Sequence, residues 1–194
     1  MRLLPLILGL AVFLGGHIFV TQRHRRAALI TKKGESFYRL AFSIVAATGL
    51  ALIAGGFARY RAGGYIQVWD PPRAMLHLNV LLNWISFVLL AAAYLPGRIK
   101  AAAKHPMLLA VKVWALGHLL ANGDLGSILL FGSFLAWAVF ARISLKSREL
   151  VEPDKAFEPK PLNDVIAVAI GTAAYLVMLI WLHRPLIGVP AWPV

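Results

Sequence analysis

Two histidines and a lysine lie within one apolar stretch, HPMLLAVKVWALGHLLANGD, residues 105 to 124, which closes on Asn122, Gly123 and Asp124. Ionisable groups are costly in hydrocarbon, so His105, Lys112 and His118 mark a candidate site by default. Imidazole is the residue chemistry for metal ligation and proton transfer near neutral pH. On a helical wheel Lys112 falls within about 20° of His105, whereas His118 lies about 140° away, beside Trp114 and Asn122. The stretch therefore has two polar faces. Lys112 either snorkels to anchor the helix or pairs with an anion. His105, ahead of Pro106, reads most simply as a helix-entry residue. Asn122, one turn from His118, is placed to bond the imidazole and orient it. Asp124 is read as a polar lip where the helix surfaces.

A second candidate is His17, in GGHIF, where Gly15 and Gly16 let a helix or a flat ligand approach the backbone. Its alternative role is a simple hydrogen bond to a carbonyl or water. His17 and His118 stand at different depths, about 5 to 9 Å and about 18 Å from the same side. Their side chains lean toward each other if their helices are antiparallel neighbours, which allows a pair of imidazoles on a metal macrocycle. His77 leans the other way, His24 sits among solvated charges, and Asn83 is deep enough to bond a neighbouring helix. Aromatics at Trp84, Phe87, Phe131, Phe134 and Trp137 are candidates for a pocket lining, with ordinary packing as the commoner use.

The elements that position these residues follow from composition. Apolar residues make up 60% of the chain and charged residues 14%, with a mean hydropathy of +0.73. These values indicate an integral membrane protein, all-α, with room in 194 residues for about six transmembrane helices and no large soluble domain. The spans fall at about 3–21, 39–57, 74–94, 106–121, 127–141 and 165–182, within a single domain over 1–194. In the first, the basic residues follow the apolar core, so a retained helix is expected rather than a cleaved signal peptide. Gly49, Gly55 and Gly56 are small packing positions in the second. Residues 22–38 and 142–164 read as hydrophilic loops, and the proline-rich tail carries Trp192 to an interface.

The net charge of +12 lies in short connections, which orient a membrane protein and make no nucleic-acid surface. Fourteen Lys and Arg fall on one side and five on the other, with Lys112 between them, so both termini are expected outside the cytoplasm. There is no cysteine, which removes disulfides and thiolate chemistry. No carboxylate pair lies within a span, no phosphate-binding glycine loop follows a strand, and no His-x-x-x-His motif occurs. Redox chemistry would need a bound cofactor.

Residues 95 to 144, LPGRIKAAAKHPMLLAVKVWALGHLLANGDLGSILLFGSFLAWAVFARIS, with GGHIF and VWDPPRAMLHL, resemble the NnrU family of bacterial multi-spanning membrane proteins. The resemblance implies a location in the bacterial inner membrane and a link to nitrite and nitric oxide metabolism in denitrification. That family is similar to 15-cis-zeta-carotene isomerase, a haem b protein with histidine ligation. The resemblance carries the two haem ligands onto His17 and His118, with His105 matching a further histidine; Lys112, as a partner for a haem propionate, and Asn122, as a support for His118, are the further cofactor-binding candidates that the residues themselves suggest, and His77 or His105 is an alternative to His17. The implied partners are lipids, haem, and nitric oxide or a lipophilic polyene. Isomerase-like chemistry, or a noncatalytic role beside a respiratory enzyme, are the alternative functions.

Overall fold

The computed structural model describes residues 2–149, 157–187 and 191. The expected all-α architecture is present. Its helices are α1 (Leu4–Thr21), α2 (Arg23–Lys33), α3 (Glu35–Ala62), α4 (Arg73–Ala92), α5 (Arg98–Ala103), α6 (Pro106–Ala121), α7 (Leu125–Glu149) and α8 (Pro161–Val177). A five-residue π-helical turn, Met178–Leu182, joins α8 to α9 (His183–Ile187). Among the described residues, the extended backbone pairs only at an isolated antiparallel bridge between Gln67 and Asp124. Helices α1, α3, α4, α7 and the segment Pro161–Pro185 are long and apolar enough to cross a membrane. Helix α6 is apolar but has 16 residues, a rise of about 24 Å. It is the short sixth member of the bundle.

Two stretches expected as loops are helical. Residues 23–33 form α2 because Ala27, Ala28, Leu29 and the Arg and Lys around them are good helix formers, and Gly34, at φ 87°, ends the run. Lys32 and Lys33 in its last turn complement the helix dipole. Helix α7 continues past Ala141 to Glu149, so the charged start of the supposed 142–164 loop is the emerging end of a membrane helix. The other end of that stretch is structural as well. Asp164, in the first turn of α8, accepts hydrogen bonds from the Arg98 and Ile99 amides at 3.0 and 2.9 Å and so caps α5. Residues 150–156 and Trp192 lie outside the described residues.

The helices pack side by side in the order α3, α1, α7, α6, α4, α8. Small residues allow close approaches between helices. A Cβ on Gly49 would lie 2.7 Å from the Phe13 amide nitrogen, and one on Gly56 would strike the Leu6 backbone, so α1 and α3 meet backbone to backbone. Gly171 does the same for α8, where a Cβ would sit 2.5 Å from Val88 Cα on α4. The α4–α8 contact is pinned by Trp84 Nε1 donating to Thr172 Oγ1 at 2.9 Å and by Tyr175 Oη donating to the Val80 carbonyl at 3.0 Å. Ser86 Oγ, donating to the Ala110 carbonyl at 2.9 Å, ties α4 to α6. Leu6, Leu10 and Leu14 of α1, Ile53, Ala115, Leu130 and Phe131 form the buried core. Outward faces remain apolar, as at Leu40, Ile44, Val165 and Ile170, which suits lipid contact.

Candidate functional site

The end of the bundle where α6 gives way to α7 is built around the NGD turn. Val68 and Trp69 donate their amides to the Gly123 carbonyl at 2.8 and 3.2 Å, and the Leu125 amide donates to the Ile66 carbonyl at 2.9 Å. The VWDPPR stretch thus lies directly on the turn. Tyr60, 1% exposed, accepts the Ile66 amide at 2.9 Å and packs where a Cβ on Gly126 would be. Asp124 is not the surface lip expected from its place in the sequence. It is 4% exposed, accepts hydrogen bonds from the Ser127 amide at 3.0 Å and hydroxyl at 2.6 Å, and lies 3.8 Å from Arg61 Nη1. The loop folded across it does the burying, and its carboxylate serves as the N-cap of α7.

Beside this turn, reached by Asn122 and Ser127, lies a cavity of about 180 Å³. Its apolar wall includes Phe57, Phe87 and Phe131, and its polar groups include His118, His183, Asn79, Asn83, Asn122 and Arg61. His118 is half-buried, stacked on Phe131 with ring centroids 4.4 Å apart and planes at 9°, and edge-on to Trp114 at 5.5 Å. Those two aromatic contacts fix its imidazole. Asn122 does not bond the ring as expected. Its Nδ2 donates to the His118 carbonyl at 2.9 Å, a carbonyl that also accepts the Asn122 amide at 2.9 Å. Asn83 likewise bonds within its own helix, donating to Asn79 Oδ1 at 2.6 Å rather than to a neighbour.

His17 stands elsewhere. Its Nδ1 is 2.7 Å from the Phe13 carbonyl, the backbone bond that was its simpler alternative. Its ring stacks on Phe13 at 4.3 Å and meets Phe42 and Trp137 edge-on at 5.2 and 5.4 Å. Trp137 Nε1 is buried there without a hydrogen-bond partner among the described residues. From His17 to His118 runs a file of rings, Phe13, Phe134 and Trp114, with centroid steps of 4.3, 5.6, 5.5 and 5.5 Å. The helices that carry the two histidines are not the close neighbours that direct pairing requires. Helix α7 packs on both and stands between them.

The remaining candidates separate in the same way. His105 precedes α6 as its N-cap residue, with Pro106 buried behind it, as a helix entry should be. Lys112 is half-buried on α6 and is not among the cavity residues, and His77 is exposed near the start of α4. Phe87 and Phe131 do line the cavity. Trp84 is used to join α4 to α8, and Phe134 and Trp137 pack on the core. Sequence reading missed His183, Arg61 and Tyr175. His183 had one readable signal, an ionisable residue at the end of an apolar span.

The chain matches the family model described as NnrU protein over residues 5–191. No curated protein and no solved structure matches it. The two stretches that meet at this end of the bundle, VWDPPR and NGD, and the helix that carries His118 all fall within the matched residues, and the chain belongs to the NnrU family.

Proposed function

We propose that this protein binds haem b at the His118 cavity and acts in nitrogen-oxide metabolism or in redox chemistry on a lipophilic substrate. The observation that carries the reading is an imidazole held by two aromatic rings on the wall of an otherwise largely apolar cavity in a membrane bundle. The chemistry of the lining suits the group in kind: imidazole is a haem ligand, the aromatic side chains suit a flat apolar macrocycle, and Arg61 offers donors to its polar edge, while a cavity of about 180 Å³ must widen to admit it. Bound there, haem would supply one-electron chemistry and an iron able to take nitric oxide.

The chain's own residues have defined parts. Phe131 and Trp114 hold the His118 ring, and the bond from Asn122 to the His118 carbonyl ends the helix at that level. The loop of residues 64–70 is tied across the turn that follows this helix. Asp124 takes up the charge of Arg61 from one side. A reduced-minus-oxidised spectrum of protein expressed with ample haem tests the reading. A Soret band in the wild type that is lost in His118→Ala is expected; a wild type without the band sinks it.

A further inference from the structure

We propose that the corner between α2 and α3 holds an anionic phospholipid, its phosphate on the cations of α2 and an acyl chain along the outer face of α3. The site is separate from the His118 cavity and needs no part of the haem reading.

Helix α2 is longer than a connection has to be. Two helices in backbone contact can be joined by a few residues, yet eleven residues of helix stand between α1 and α3. Gly16 lies against Val45, Phe13 against Gly49 and Leu6 against Gly56. That register sets Thr21, the end of α1, level with about residue 40 of α3 and lets α3 run on by roughly 9 Å. Helix α2 is about 16 Å long by the same rise, so it slants across the end of the pair instead of extending either helix. Gln22, out of helical geometry, and Gly34, at φ 87°, make the two bends. An element across the end of a membrane hairpin sits at the level of the lipid headgroups.

Its side chains suit that level. Arg25 and Lys32 lie on one line of α2 and Arg26 and Lys33 on another, with Leu29 between the two lines. Leu29 is half-buried, whereas Arg25, Lys32 and Lys33 are exposed. No acidic residue occurs from 22 to 34, and the next carboxylate, Glu35, is bonded to Arg39 at 2.6 Å. Arg26 is held by an aromatic contact, its guanidinium 5.2 Å from the centre of the Tyr38 ring, and its Nε has no acceptor among the described residues. Phosphate oxygen is the acceptor that suits a guanidinium beside ammonium groups. Just past Gly34, Phe37, Leu40 and Ile44 are exposed within about 60° of one another on α3, an apolar strip leading away from the cations. An anionic lipid meets both surfaces at once, while free phosphate or an uncharged lipid meets only one.

Thermal unfolding of the full-length protein in a fixed detergent, titrated with phosphatidylglycerol, phosphatidylcholine or inorganic phosphate, tests this. Phosphatidylglycerol should raise the unfolding temperature saturably, and the other two should not at the same concentration. Each cation at an anionic surface is worth about fivefold in affinity, so Arg26→Gln/Lys33→Gln should need about thirtyfold more phosphatidylglycerol for half-saturation. Arg25→Gln/Lys32→Gln, at exposed positions, should show the same loss and decides the matter if the first variant does not fold. Arg59→Gln, exposed at the far end of α3, removes a charge away from the patch and should respond as wild type. Equal shifts with phosphatidylcholine, a shift with inorganic phosphate as large as that with lipid, double variants that respond like wild type, or an equal loss in Arg59→Gln each overturn the inference. The Soret band tests the haem reading separately, and neither result decides the other.

Discussion

Asp124 holds several interactions at the turn from α6 to α7: the Ser127 amide and hydroxyl, and Arg61 at 3.8 Å. Removing it leaves the first turn of α7 uncapped and Arg61 beside an apolar cavity without its carboxylate. Asp124→Ala should cost about 1–3 kcal/mol, read as a lowered unfolding temperature in a fixed detergent, and Asp124→Asn should retain part of the cap and lose less. Asp70, on the exposed part of the covering loop, bonds only Gln67 among the described residues, and Asp70→Ala should change stability by under about 0.5 kcal/mol in the same measurement. The sequence marks Asp124 as polar at a helix end and therefore reads as surface. Its burial comes from residues 66 to 69 crossing the turn, a contact between segments more than fifty positions apart that no local pattern encodes. His118 was legible for the opposite reason, since an ionisable group deep in an apolar run announces itself regardless of its neighbours. Its stacking on Phe131 and the orientation of Asn122 depend on helix packing and were not.

At the level of elements, the clearest consequence concerns the glycines of α3. Gly49 and Gly56 are seven residues apart and so lie on nearly one line, the line that faces α1. Gly55 lies a hundred degrees or so away, and a Cβ there would meet nothing within 4 Å. Gly49→Val should therefore force α1 and α3 apart and cost about 1–3 kcal/mol, whereas Gly55→Ala should be neutral or stabilising by up to about 1 kcal/mol. Thermal unfolding of the two variants beside wild type checks the contrast, and equal losses would show that the α1–α3 approach is not set by these positions. The seven-residue spacing was available in the sequence, although small size alone marks all three glycines equally. The boundary errors have a different cause. Density of charge reads as loop, but α2 and the end of α7 are charged because they stand at or beyond the membrane surface, and arginine and lysine form helix well there. The π turn before His183 was out of reach, because hydropathy reports which residues are apolar and not how many fill a turn.

Across the whole molecule the helices alternate in direction, so the start of α1, the end of α3 and the turn from α6 to α7 share one end, and α2 and α5 share the other. The cavity and the covering loop belong to the first end, the poorly charged one. Arg23, Arg25, Arg26, Lys32 and Lys33 all lie on α2 at the second. The excess of Lys and Arg there predicts that the second end is cytoplasmic and that the cavity faces the opposite compartment. The chain contains no cysteine, so a single introduced thiol is the only one that can react. Tyr65→Cys, on the exposed covering loop, should be labelled by a membrane-impermeant maleimide in intact spheroplasts, and Lys33→Cys, exposed at the end of α2, only after permeabilisation. The reverse pattern would place the cavity on the cytoplasmic side. The outcome also bears on chemistry: with the cavity at the outer end, a ligand or electron donor must reach His118 from that compartment or from the outer leaflet.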